Sequence, residues 1–380
     1  MRKIFLLFLL TTVPAILLAG PDGNGVKPTE ILIGQCAALT GPAAGLGTGV
    51  QLGLRAALDE VNEKGGVGGR KIILKSFDDA YEPEKCVECT GKLIEQEGVF
   101  ALAGYVGTPT TKVAMPIVQE MKVPLIGAFT GAMLLRDPVQ RYVFNIRASY
   151  DDETETLVQY LTTRGAKKIA VFYQNDSFGQ AGLSGVEKAL TKRKMSMAAK
   201  GSFERNTLAV KSGLAAVMAA DPDAIIMVGP YKPTAEFVRQ ARAVGVKGEL
   251  ATISFVGTEN LIADLGRDSE GVLISQVVPP PSDSSRGLTR DYQAALKKTA
   301  PAEAPSYVSF EGYVNGRLLI AALEKAGPDL TREKLVEVLN GTSSLDLNGM
   351  TLSFSAQNHQ ASSVVFLTRV KGGKADPLAP

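Results

Sequence analysis

Two threonines carry the first chemical signal in this chain. Thr108 and Thr130 both stand in the stretch FALAGYVGTPTTKVAMPIVQEMKVPLIGAFT, each at the carboxyl end of a short apolar run. Val99 to Ala103 reads as a strand that stops at Gly104. Thr108-Pro109 then starts a helix to about Met121, Val123 to Ala128 is the next buried strand, and Thr130-Gly131 lies in the loop beyond. A hydroxyl followed by proline suits a helix start, where free N–H groups need an acceptor and a missing one costs nothing. Helix amino termini also carry about half a positive charge, so two such loops side by side make a seat for a carboxylate or another small anion. Taken alone, Thr108 is explained more simply as a plain helix cap.

Other chemistries find little support. Gly45-Leu46-Gly47-Thr48-Gly49 has the wrong spacing for a dinucleotide fingerprint, and no phosphate-loop Gly-Lys-Ser/Thr is present. Gly182-Leu183-Ser184-Gly185-Val186 lacks the last glycine of a nucleophile elbow. The only histidine, His359, has no partner motif for a triad or a zinc site. We therefore expect no enzyme, no metal and no cofactor. Cys86 and Cys89, three apart early in a helix, leave open a local disulfide or two unpaired thiols, with Cys36 as the third cysteine. With 41 basic against 39 acidic side chains and no basic run interleaved with aromatics, nucleic acid is not an expected partner.

These residues need a scaffold, and its outline is visible. Arg2 and Lys3, the apolar runs Ile4 to Leu10 and Ile16 to Leu18, and Ala19-Gly20 read as a signal peptide over residues 1–19, cleaved near Ala19. Pro21 stands where a lipidated cysteine would be needed. The remaining length of about 360 residues exceeds what one core usually serves. Strands at Glu30 to Cys36, Arg70 to Phe77, Val99 to Ala103 and Val123 to Ala128 alternate with helices in one doubly wound half, and Tyr142 to Ala148 is an extended connection. Ser149, with Asp151, Asp152 and Glu153, opens a second half through a helix start that its dipole favours. Its strands are Ile169 to Tyr173, Ala199 to Phe203, Ala224 to Val228, Leu250 to Phe255 and Val272 to Val278; helices include Ser177 to Lys192 and Pro233 to Val244. Beyond the Pro279-Pro280-Pro281 connector come helices at Ser285 to Thr299, Tyr307 to Lys325 and Arg332 to Asn340, then strands at Met350 to Phe354 and Val364 to Val370. The class is α/β, with a ligand expected between two lobes at the carboxyl ends of both sheets.

The segments ILIGQCAALTGPAAGLG, DEVNEKGGVGGRKI, DDAYEP, GYVGTPTT, VPLIGAFTG, YQNDSFGQAGLSG, VGPYKPTAEFVRQAR and PSYVSFEGY together resemble the periplasmic branched-chain amino acid binding proteins of ABC transporters. DEVNEKGGVGGRKI is the most specific of them, and the resemblance runs through nearly all of the chain after the signal peptide. It implies a type I periplasmic binding fold: two Rossmann-like doubly wound lobes joined by a three-crossover hinge. Lobe 1 is expected over residues 27–147 and 280–360, lobe 2 over 148–279 and 361–372, and a tail over 373–380. A monomer in the periplasm that delivers a small ligand to ABC permease subunits is implied; a periplasmic ligand sensor feeding a signalling protein is the alternative of the same fold.

Site residues follow from the same resemblance. Thr108, Ala128 and Thr130 match the positions that hold the ligand carboxylate, Phe178 and Tyr231 those that close over it from lobe 2, and Leu46 and Tyr307 those that tune side-chain selectivity. The acidic partner of the ligand ammonium falls on Ser254; Glu259, five residues on, reaches that place only if the loop rearranges. A buried ammonium without a carboxylate costs on the order of 3–5 kcal/mol. The expected ligand is therefore a small carboxylate with an apolar or aromatic body and no amine, facing Tyr105, Phe129, Phe178, Tyr231 and Phe255. Arg147 and Glu311, near the hinge, are expected in a solvated or interlobe salt-bridge role.

Overall fold

The computed structural model describes residues 25–378; the signal peptide expected over residues 1–19 lies outside the described residues. The first sheet is all parallel and contains β1 (Glu30–Ala37), β2 (Lys71–Asp78), β3 (Ala101–Ala103), β4 (Leu125–Ile126) and β5 (Val143–Phe144), in the order β2-β1-β3-β4-β5. Between them run α1 (Ala44–Glu63), α2 (Pro83–Gly91), continued by a π-helical turn over Lys92–Gln96, and α3 (Thr108–Glu120). β1 is buried from Ile31 onward, as expected for a central parallel strand covered on both faces.

The chain then crosses to the second lobe. α4 (Tyr150–Thr163) starts with a capping box in which the Ser149 hydroxyl accepts from Asp152 N and the Asp152 carboxylate accepts from Ser149 N. After it come β6 (Ile169–Gln174), α5 (Ser177–Lys192), β7 (Ala199–Phe203), α6 (Lys211–Met218), β8 (Ala224–Val228), α7 (Tyr231–Ala243), β9 (Glu249–Thr252), α8 (Thr258–Leu265) and β10 (Leu273–Gln276). A second crossing returns the chain to the first lobe with α9 (Gly287–Thr299), α10 (Tyr307–Ala326), α11 (Arg332–Asn340) and a hairpin of β11 (Leu345–Asp346) with β12 (Thr351–Leu352). A third crossing delivers β13 (Phe366–Lys371) and β14 (Lys374–Pro377) to the second sheet, whose order is β14-β13-β10-β9-β8-β6-β7.

The first and third crossings lie against each other. Asn145 N donates to His359 O and Ala361 N donates to Asn145 O, both at 2.8 Å. His359 stacks on Phe144 at 4.1 Å, and its Nε2 lies 2.8 Å from Asn340 Oδ1. The lone histidine is thus part of the hinge framework.

In the first lobe, α10 packs along α1 with backbone in contact. A Cβ on Gly53 would come within 1.8 Å of Ser309 O, and one on Gly312 within 2.3 Å of Val50 O. Only glycine permits that approach.

Several expectations need correction. α1 begins at Ala44, although the glycine-rich stretch Leu39 to Gly47 reads as a turn with a helix from about Thr48, and residues 374–377, assigned to a tail, form β14 antiparallel to β13. The strand expected at Leu250 to Phe255 ends at Thr252, because Ser254–Val256 turns into a 3-10 helix. The disulfide joins Cys36 to Cys89, leaving Cys86 buried and free, so neither a Cys86–Cys89 bond nor two unpaired thiols occurs. Both cysteines of α2 lie one turn apart over the end of β1, and Cys36 there is the partner that local spacing cannot reveal.

Candidate ligand-binding cleft

The threonines meet because the backbone extends the sheet beyond β3 and β4. Phe129 N donates to Tyr105 O at 2.7 Å and Gly107 N to Phe129 O at 3.2 Å, which sets the two loops side by side. Thr108 Oγ1 and Thr130 Oγ1 are then 2.7 Å apart and fully buried. Thr108 is the first residue of α3 and not its cap. Gly107 takes the cap position with φ 96°, and a Cβ there would strike the Tyr81 ring at 2.1 Å. Released from capping, the Thr108 hydroxyl is bonded only to Thr130 among the described residues. Thr130 is followed by a 3-10 turn, Met133–Leu135, and not by an α-helix. Ala128 is buried beside the pair, its carbonyl accepting from Thr130 N at 2.8 Å.

An aromatic cluster drawn from both lobes lies over this loop. The Phe255 ring sits 4.3 Å from Phe178, 5.5 Å from Phe129 and 6.1 Å from Tyr81, while Tyr150 lies 5.5 Å from Phe178. Phe178 is placed by the start of α5, where the Asp176 side chain accepts from Phe178 N. Tyr105 is not brought to this cluster: its hydroxyl pairs with Thr90 of α2 at 3.1 Å inside lobe 1.

The lobes are closed on each other. Gly45 N, at the start of α1, donates to the Tyr231 hydroxyl at 3.1 Å. Leu46 packs against the loop at Gly257, and Tyr307 N donates to both carboxylate oxygens of Glu259 at 3.1 and 3.2 Å. Gln174 donates to the Tyr81 hydroxyl, and Arg205 forms a 2.8 Å ion pair with Glu82. Glu259 thus serves the mouth of the cleft, as an acceptor for the first turn of α10.

At the base lies an ionic cluster that sequence reasoning did not assemble. Arg147, in the first crossing, is fully buried, 4.6 Å above the Phe129 ring and 3.5 Å from each of Glu153 and Glu311. It also donates to the Ser254 hydroxyl. The Glu153 carboxylate accepts from Ser254 N at 2.8 Å, Ser254 Oγ at 3.0 Å and Ser275 Oγ at 2.6 Å. A carboxylate does therefore reach Ser254, but from α4 and with its acceptor positions taken. Arg136 supports the loop from behind, donating to Ala132 O, Thr130 O and Arg147 O. The salt-bridge role expected for Arg147 and Glu311 is present, although neither residue is solvated. No local signal marks Arg147, Glu153 or Tyr150 as site residues; all three are held by tertiary contacts.

Burial works against the Arg147 charge, yet Glu311 and Glu153 push its pKa up. Burial raises Glu311 to about 7 against the pull of Arg147, and raises Glu259 to about 7 against the Tyr307 N–H. Asp79, under the Tyr81 turn, is likewise raised by burial to about 7. In the unfolded chain such groups titrate near pH 4, so the folded protein binds more protons between about pH 4 and 7. The contribution of these three groups to stability is full below that window and is lost as pH rises through it. Each adds a slope of up to about 1.4 kcal/mol per pH unit within the window. Urea unfolding should show a more stable protein near pH 5 than near pH 8; equal or greater stability at the higher pH would contradict this assignment.

Comparison with known proteins agrees with this architecture. The model of the "Periplasmic binding protein" family matches residues 30–375. The Leu/Ile/Val-binding protein of Rhizobium johnstonii is 27% identical over 336 residues, 84% of this chain and 85% of that one. The leucine-specific-binding protein of Salmonella typhimurium is 23% identical over 265 residues, 70% of this chain and 72% of its own. Among solved structures, a possible leucine/isoleucine/valine-binding protein from Rhodopirellula baltica superposes with a TM-score of 0.89 at 35% identity, covering 95% of this chain and 98% of the other. Two doubly wound lobes, three crossings between them and a family match across both place this chain in the periplasmic binding protein family, with the type I fold.

Proposed function

We propose that this protein is the extracytoplasmic substrate-binding component of an ABC importer, closing its lobes around a small carboxylate with an apolar or aromatic body. It acts by binding and release, without catalysing a reaction, and presents the closed form to permease subunits. The observation that carries this reading is the aromatic cluster built jointly by Phe129 of lobe 1, next in the chain to Thr130, and Phe178 and Phe255 of lobe 2. A ligand held there touches both lobes, which is the physical condition for binding to favour the closed state. Of the two threonine hydroxyl protons one is used within the pair, and the other remains for an anion. The reading also assigns to the site Ala128, next to the pair, Leu46, Tyr231 and Tyr307, which make contacts between the lobes, and Ser254, bonded to Glu153 and Arg147. The names of the relatives point to branched-chain amino acids, whereas the occupied Glu153 carboxylate favours an acid lacking an amine.

Mass spectrometry of the protein purified without refolding, followed by calorimetry with the compound found and with leucine and valine, tests this reading. A copurifying small acid is expected; tight leucine binding would refute the amine-free ligand. Thr130→Ala should weaken binding of that acid by about 1–3 kcal/mol, and an unchanged affinity removes Thr130 from the seat.

A further inference from the structure

Arg147 is a fully buried cation with donors to spare. Its Nη2 is engaged by Ser254, but Nε and Nη1 donate to no acceptor among the described residues. Nε lies 3.5 Å from Glu311 Oε1, an ion pair that closes no hydrogen bond. A buried guanidinium ordinarily satisfies its donors, so two idle N–H groups require an explanation. They belong to a side chain spread between Phe129 of lobe 1 and Ser254 of lobe 2. The buried Tyr150 hydroxyl lies nearby, beside the Thr130 side chain. Nε–H and Nη1–H leave opposite edges of the planar guanidinium, so each is a separate charge-assisted donor, stronger toward a carboxylate than a threonine hydroxyl.

The charges around it constrain what binds. Glu311, on α10, is faced by Arg147 from the first crossing, Glu153 from α4 and Arg136 from the loop after the 3-10 turn. Glu153 already accepts three hydrogen bonds, from Ser254 N, Ser254 Oγ and Ser275 Oγ, and pairs with Arg147. Among the described residues Glu311 forms one ion pair, with Arg147. Two arginines and two glutamates balance when both acids are ionised, and an incoming anion adds one negative charge to this buried group. Resting on the carboxylate-binding reading above, we infer that Arg147 is the specificity-determining anion receptor: the ligand carboxylate docks on its idle Nη1–H and replaces Glu311 as its counter-charge. Glu311 then takes up one proton from solvent. With that proton on Glu311, the added anion leaves the charge balance of the cluster as it was before binding. The raised pKa of Glu311, to about 7, makes that proton cheap to acquire near neutral pH. An α-amino acid brings its own positive charge and gains nothing from the exchange.

Calorimetry of the full chain with 4-methylpentanoate and phenylacetate, and with leucine as the amine-bearing match of the first, tests this. Titrations run at about pH 6 and about pH 8, in buffers of different ionisation enthalpy. Uptake approaching one proton is expected for the acids at about pH 8 and little at about pH 6, where Glu311 is already largely protonated, with affinity roughly tenfold higher at the lower pH. Glu311→Gln should abolish the pH dependence and the proton uptake while retaining binding. Arg147→Lys, which preserves the charge but loses the placed Nη1–H, should weaken both acids about tenfold or more, with the unfolding midpoint checked in parallel. Acids that bind with buffer-independent heat and are indifferent to Arg147→Lys would overturn the inference and leave the carboxylate reading in place. Leucine binding that exceeds 4-methylpentanoate and is lost in Glu311→Gln would overturn it too, by making Glu311 the ammonium partner. If neither the acids nor leucine bind the wild-type protein, the inference and the reading beneath it fall together.

Discussion

Replacing Arg147 with methionine is expected to lower the unfolding free energy by about 3–5 kcal/mol, because it strands buried acids without their cation. Arg147 stands 3.5 Å from Glu153 and from Glu311, and all three side chains are almost fully shielded from water. A charge taken out of water is tolerated only while a partner and hydrogen bonds replace the lost hydration. Glu153 would keep its serine donors, whereas Glu311 would lose the one ion pair it forms among the described residues. Urea unfolding near neutral pH measures the loss. Adding Glu153→Gln and Glu311→Gln to the same protein should recover a large part of it, since uncharged amides are cheaper to bury than unpaired carboxylates. A change below about 1 kcal/mol, the range of an exposed pair, would mean that the cluster is solvated in solution.

The second large effect concerns the Cys36–Cys89 bond. The two cysteines are 53 residues apart in sequence. On the chain-entropy account, a cross-link closing a loop of that size stabilises by about 4 kcal/mol. Cys36→Ala, which leaves Cys86 and Cys89 in place, should therefore lose about that amount in the absence of reductant, and the wild-type protein should fall toward the same value when reduced. Identical unfolding curves for wild type and Cys36→Ala under oxidising conditions would show that the bond does not form. The bond also matters to the cleft, because α2 follows directly on the Tyr81 turn. Tyr81 touches Phe255 and accepts from Gln174, and Glu82 pairs with Arg205 of the other lobe.

Legibility in the sequence follows the range of the interactions involved. α5, α11, β7 and β8 occur over the spans expected, and each is marked locally. Asp176 and Thr331 cap the two helices, and the strands are short, bounded runs. The threonine pair was legible as two loops after two strands, although its chemistry was misread in one respect. Gly107 caps α3 through backbone that only glycine adopts readily, which frees the Thr108 hydroxyl for Thr130. Arg147 was noticed only as a hinge charge. Its connector has no periodicity, and its partners come from α4, α10 and the loop after β9, so nothing within reach along the chain announces the cluster. The cysteine pairing failed for the same reason: Cys86 and Cys89 are near neighbours in sequence, but Cys36 is brought to them by the sheet.

The glycine contact between α1 and α10 bears on how such a protein changes its diet over evolutionary time. α1 carries Gly45 and Leu46 at the mouth, and α10 carries Tyr307 and Glu311, so residues far apart in the chain are fastened together backbone to backbone through Gly53 and Gly312. Neither helix is free to slide to accommodate a new ligand. Novel preferences are thereby channelled into exchanges of side chains at the helix tips, a small and easily searched set of positions, while the body of the lobe is inherited unaltered.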